Sequence, residues 1–76
     1  MQLLVIETDN AALEKLETLL NTIVPHYQVA GRAVTVRDAA AWLQQNEAPD
    51  LVIAAVELHD GLIFPTLQHF IVPVIY

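Results

Sequence analysis

At 76 residues the chain is one domain at most, with 55% hydrophobic residues, 16% charged residues and a net charge of −6. Lys15, Arg32 and Arg37 are its only permanent cations, too few to neutralise a nucleic-acid backbone, and it contains neither cysteine nor serine, which removes disulfides, thiolate metal sites and Ser or Cys nucleophiles. The apolar excess is not a membrane span, because the longest uninterrupted run, residues 51–56, falls far short of the roughly 20 residues a helix needs.

In chain order, residues 3–6 (LLVI) suit a short strand buried on both faces. Asp9 or Asn10 then caps a helix in which Ala12, Leu13, Leu16, Leu19, Leu20 and Ile23 recur at three- and four-residue spacing, and Pro25 closes it. Alternation resumes at Tyr27, with Val29 and Ala33 on the same parity, so a second strand runs to about Val34. Thr35, followed three residues on by Asp38, has the capping-box form. It opens a second helix with Ala39, Ala40 and Leu43 inward and Trp42 on the rim of that stripe, ending before Pro49. Residues 51–56 (LVIAAV) are a third strand. Asp60-Gly61 reads as a turn opening a third helix, with Leu62, Ile63, Leu67 and Phe70 as its apolar side. Pro65 makes that helix short, distorted or begun at Pro65 itself, since an internal proline costs about 3 kcal/mol. Residues 71–76 (IVPVIY) form a last strand, whose Pro73 fits an edge or a strand start.

The order β-α-β-α-β-α-β predicts an α/β fold, a parallel sheet in the order 2-1-3-4 with helices on both faces. Ligands of such sheets bind beyond the carboxyl ends of the strands, where the strand order reverses. Here that crevice lies between strands one and three, where Glu7, Thr8 and Asp9 meet Ala55, Val56 and Glu57, with Asp60 nearby. Glu7, Asp9 and Glu57 are the candidate metal ligands, of a kind suited to Mg²⁺, although a solvated strand end at Glu7 and a helix cap at Asp9 explain that pair better. His59-Asp60 is better explained by a turn than by a catalytic dyad, and His26, His59 and His69 lack metal-ligand spacing. Gly31 and Gly61 are the only glycines, so no phosphate-cradling loop exists.

The stretches LLVIETDNAALEKLETLL, PDLVIAAVELHDG and VPVIY resemble the receiver domain of two-component response regulators. ALEKL in the first helix and VAGRA in the second strand are similar to receivers of the LytTR class. The resemblance spans the whole chain and implies a flavodoxin-like, receiver-like partial sheet, with residues 1–76 a single truncated domain holding somewhat over half of a complete receiver. Receiver chemistry uses two acids after strand one to hold Mg²⁺, an aspartate ending strand three as phosphoacceptor, and a later Lys and Thr. In this frame Glu7 fills the first acidic position, Thr8 replaces the second, and Ala55 stands at the phosphoacceptor position. A methyl group cannot attack phosphorus.

The resemblance therefore implies a degenerate, phosphorylation-incompetent receiver fragment. It would act as a regulatory protein-interaction module in phosphorelay signalling or transcription regulation, with no catalytic residue and no cofactor beyond a weakly held Mg²⁺. The alternatives are a small metal-dependent α/β enzyme using Glu7, Asp9 and Glu57, or a structural dimerisation fragment. The acidic chain, free of a signal peptide, suits the cytoplasm and direct binding of neither DNA nor membrane. The expected partners are a second copy, another protein or the remainder of a longer regulator. A homo-oligomer would join through strand four (Ile71, Val72, Val74, Ile75 and Tyr76) or through the bare sheet face beside helix one.

Overall fold

The computed structural model describes residues 1–23 and 26–76, and the side chains of all of these but Asn10 and Ile23. Pro25, read as the stop of the first helix, lies outside the described residues, as does the side chain of Ile23.

Strand β1 (Gln2–Ile6) has Leu3, Leu4, Val5 and Ile6 all buried, as a strand covered on both faces requires. Helix α1 (Asn10–Ile23) is capped by Asp9, whose Oδ1 accepts from the Ala11 and Ala12 amides at 2.9 and 3.4 Å. Its inward stripe is Ala12, Leu13, Leu16 and Leu20. Leu19, expected inward, is 57% exposed, because it sits with Ala11, Glu14, Lys15 and Thr18 on the outer flank of the helix.

Strand β2 (Gln28–Ala33) pairs in parallel with β1, with a bulge at Ala30 between the pairs Leu3↔Val29 and Leu4↔Gly31. In helix α2 (Val36–Gln45), the Thr35 Oγ1 accepts from the Asp38 amide at 3.0 Å, the first half of the expected box. The Val36 and Arg37 amides, which such a box leaves open, donate to the Asp60 carboxylate.

Strand β3 (Leu51–Ala54) ends two residues short of the expected boundary, and the third helix does not begin at Asp60-Gly61. In its place β4 (Glu57–Leu58) and β5 (Gly61–Leu62) form an antiparallel hairpin around His59-Asp60. Gly61 makes that tight return with φ +134, a conformation side chains other than glycine's rarely adopt. Leu62, expected on a buried helix face, is consequently an exposed hairpin residue. Helix α3 (Phe64–Leu67) is short and holds Pro65 in its first turn, where the missing N–H leaves no bond unmade. Strand β6 (Val74–Ile75) completes the sheet, following Pro73.

The sheet order is β2-β1-β3-β6, all parallel, so β6 is the fourth strand of the expected 2-1-3-4 arrangement. Alternation puts Leu4, Ile6, Val52 and Ala54 on the face covered by α2 and α3, in one core with Ala39, Leu43, Leu58, Ile63 and Leu67. The opposite face carries Leu3, Val5, Ile53 and Ile75 beside α1. Its coverage runs out toward the edge: Leu3 and Val5 are buried, Ile53 is partly covered and Ile75 is exposed.

Two residues of the expected interface need correction. Val72 and Val74 are partly buried and pack against the α2/α3 core, because the β6 residues alternate and Val74 takes the inner face. Ile71, Ile75 and Tyr76 are the exposed ones.

Candidate functional site

Glu7 and Ala55 leave the sheet side by side. The Glu7 amide donates to the Ala33 carbonyl at 3.0 Å and the Ala55 amide to the Ile6 carbonyl at 2.8 Å. Each residue therefore continues a strand pairing one step past its strand, at the carboxyl edge where the crevice was expected. Both line a groove of about 350 Å³ together with Ile6, Ala12, Leu16, Ile53, Ala54, Val56, Ile75 and Tyr76. Most of the lining is apolar, and Glu7 is its one acidic side chain.

That acid is turned inward on its own loop. Glu7 Oε1 accepts from the Thr8 amide at 2.9 Å and from the Asp9 amide at 3.2 Å. Asp9 in turn spends its carboxylate on the first turn of α1. Glu57 stands exposed on the hairpin, opposite Leu62. Among the described residues no group of three or more His, Cys, Asp or Glu side chains gathers as a metal site, so Glu7, Asp9 and Glu57 do not converge on one point. Ala55 is partly buried against the core and presents a methyl group.

A second cleft, about 410 Å³, opens on the same edge between Thr8, Val34, Thr35 and His59. Next to His59 in the chain is Asp60, the residue whose role sequence reasoning missed. Asp60 Oδ1 accepts from the Val36 amide at 2.7 Å and Oδ2 from the Arg37 amide at 3.0 Å. One carboxylate thus closes two of the open amides of α2 and pins the hairpin tip to the helix. The Val36 bond first, then the Arg37 bond, hold the Asp60 carboxyl below its ordinary range. No local signal could have revealed this, since the partners are more than twenty positions apart in the chain. Other cations are placed away from the groove: Arg32 Nε donates to Glu17 Oε1 at 2.9 Å, and Lys15 lies on the outer flank of α1. No described helix is long and apolar enough to cross a membrane.

No protein-family model and no curated protein matches the chain. Solved structures do. The response regulator PhyR from Brucella abortus is 25% identical with a TM-score of 0.78, the match covering 97% of this chain and 31% of that one. The anti-anti-sigma factor PhyR from Bartonella quintana is 26% identical at a TM-score of 0.74, over 97% and 31%. The receiver domain of the PhyR response regulator from Erythrobacter litoralis is 32% identical at a TM-score of 0.72, over 97% and 59%. The chain thus spans about a third of the full regulators and somewhat over half of the isolated receiver domain. With its parallel β2-β1-β3-β6 sheet and PhyR proteins, one of them an isolated receiver domain, as structural neighbours, the chain has the flavodoxin-like fold of a response regulator receiver domain.

Proposed function

We propose that the chain is a phosphorylation-incompetent receiver module that works by binding other proteins in phosphorelay or transcriptional regulation, in the cytoplasm, and is not an enzyme. The observation that carries this reading is Ala55: it lies one residue past β3, beside Glu7 one residue past β1, in a fold whose solved neighbours are regulators. A phosphoryl group needs a nucleophile at that point, and a methyl has none. Divalent-cation binding has also lost support, because Thr8 replaces one acid and the Glu7 carboxylate folds back on its own loop.

The rival reading, a metal-dependent enzyme using Glu7, Asp9 and Glu57, separates cleanly from this one. Incubated with acetyl phosphate and Mg²⁺, the chain should keep its mass. A stable adduct of one phosphoryl group, located by fragmentation, refutes the proposal. The expected partner is a protein. One neighbour carries the name anti-anti-sigma factor, which suits a module acting through protein contacts. A net charge of −6 argues against duplex DNA as a direct ligand. Self-association through the β6 edge belongs to the same reading, because β6 pairs with β3 on one side only and Ile75 is exposed beside it.

A further inference from the structure

A third cleft, about 370 Å³, lies at the amino end of the sheet, between the starts of β1 and β2 and the end of α2. Gln2, Ala30, Trp42, Asn46, Glu47 and Pro49 line it, and no lining residue comes later in the chain than Pro49. The sequence opens this cleft in two ways. Ala30 is the bulged residue of β2 and Gly31 beside it has no side chain, so the Trp42 indole lies directly over the strand. The Asn46 backbone amide and side-chain Nδ2 both donate to the Trp42 carbonyl, at 3.1 and 2.8 Å, which stops α2 at the cleft wall.

What the lining side chains offer a ligand, besides the indole, is mostly acceptors. Gln2 Nε2 donates to Gln28 Oε1 at 2.7 Å and Asn46 Nδ2 is spent on Trp42, so each amide keeps its carbonyl oxygen for another donor. Glu47 adds an exposed carboxylate that, unlike that of Glu7, takes part in no described hydrogen bond or ion pair. The cleft also stands at the partially negative end of α2, whose last turn holds no basic residue. The permanent cations of the chain are placed elsewhere: Lys15 on the outer flank of α1, Arg32 on Glu17, and Arg37 beside Asp60 at the other end of α2. An indole, a carboxylate, two amide oxygens and a helix C-terminus together suit a planar cation. A guanidinium can stack on the ring and direct several N–H groups to the oxygens at once, whereas an ammonium is a compact, strongly hydrated charge. We propose that this cleft takes an arginine side chain of a partner protein, its guanidinium on Trp42 and its N–H groups toward Glu47 and the Gln2 and Asn46 oxygens. This rests on the regulatory reading above and names the partner's chemistry at one anchoring contact.

The probe is an acetylated, amidated Ala-Arg-Ala tripeptide, titrated into the chain while the Trp42 indole N–H is followed by NMR. The same peptide with citrulline, which keeps the shape and loses the charge, is one control, and the peptide with lysine is the other. The arginine peptide shifts the indole signal saturably at roughly millimolar concentration, the strength of one side chain without the rest of an interface. Both controls bind at least about threefold more weakly. Glu47→Gln weakens binding about two- to fivefold, the range of an exposed ion pair. Glu14→Gln removes an equal charge from the outer flank of α1 and leaves binding unchanged, which separates the cleft from the general pull of an acidic chain. Both positions are exposed, so the variants keep the fold, which circular dichroism checks. Absence of saturation, a citrulline or lysine peptide that binds equally well, indifference to Glu47→Gln, or equal losses in the two variants overturns the proposal. Free arginine binding as tightly as the tripeptide assigns the cleft to a small guanidinium compound and overturns the partner assignment. The acetyl phosphate result is read separately: a phosphoryl adduct sinks the regulatory reading of Ala55 even where the peptide binds.

Discussion

Gly31→Ala tests how α2 is seated on the outer edge of the sheet. Glycine at this position is not held by its backbone, because Gly31 does not have the left-handed φ found at Gly61. Replacing such a glycine ordinarily stabilises a protein by about 0.4–1 kcal/mol, by restricting the unfolded chain. Here a Cβ would lie 2.3 Å from the Trp42 Nε1 and 2.5 Å from Cε2, inside the indole that packs over β2. These are atoms of a rigid ring, so the whole side chain must move. Overpacking of this kind costs about 1–3 kcal/mol. Trp42 is partly exposed and can swing outward, so the indole trades the clash for lost burial. The net expectation is a destabilisation of about 1–2 kcal/mol, a sizeable part of the roughly 5 kcal/mol that so small a domain holds. That corresponds to a fall in Tm of roughly 5–15 °C. Thermal denaturation by circular dichroism measures it. Trp42 is the only tryptophan, so its emission reports the same contact and shifts to the red as the ring moves into water. In a Trp42→Leu background the sign reverses, and Gly31→Ala stabilises. An unchanged or raised Tm in the native background, with unchanged emission, refutes the reasoning.

Asp60→Asn lowers stability at neutral pH by weakening the clamp on α2. Because the folded Asp60 carboxyl is held below its ordinary value, its contribution is full above the unfolded aspartate pKa of about 3.9 and lost as pH falls through the folded one. The deficit of Asp60→Asn in urea midpoint should therefore be present at neutral pH and shrink in acid below that value; an equal deficit at both ends speaks against the clamp. Ile63→Ala, at a wholly buried position between the hairpin and α3, costs about 2–5 kcal/mol and leaves the domain largely unfolded; a Tm within a few degrees of the parent would contradict that. Ile75→Lys disperses any oligomer formed through β6, whereas Val74→Lys injures the core and is the wrong probe. Light scattering across a dilution series reads both, and a native chain that is already monomeric at micromolar concentration removes the edge-association proposal.

Much of this architecture is legible in the residues because it rests on local periodicity. LLVI must lie in a sheet covered on both sides, the α1 stripe must face inward, and Thr35 must cap α2, whatever else the chain does. The strand order follows from right-handed crossovers between parallel strands, and with it the meeting of Glu7 and Ala55 at the carboxyl edge. The absence of a nucleophile at Ala55 is likewise a property of the sequence once the frame is known. Residues 57–62 are different. Their apolar spacing fits a short helix or a hairpin equally, and what chose the hairpin was the burial of Leu58 together with the clamp of Asp60 on α2. That clamp is a contact between distant segments, so no pattern within either one could announce it. The same holds for Val74 and Ile75, neighbours of like composition. The pleat of β6 sends one into the core and leaves the other at the edge, and only pairing with β3 settles which is which.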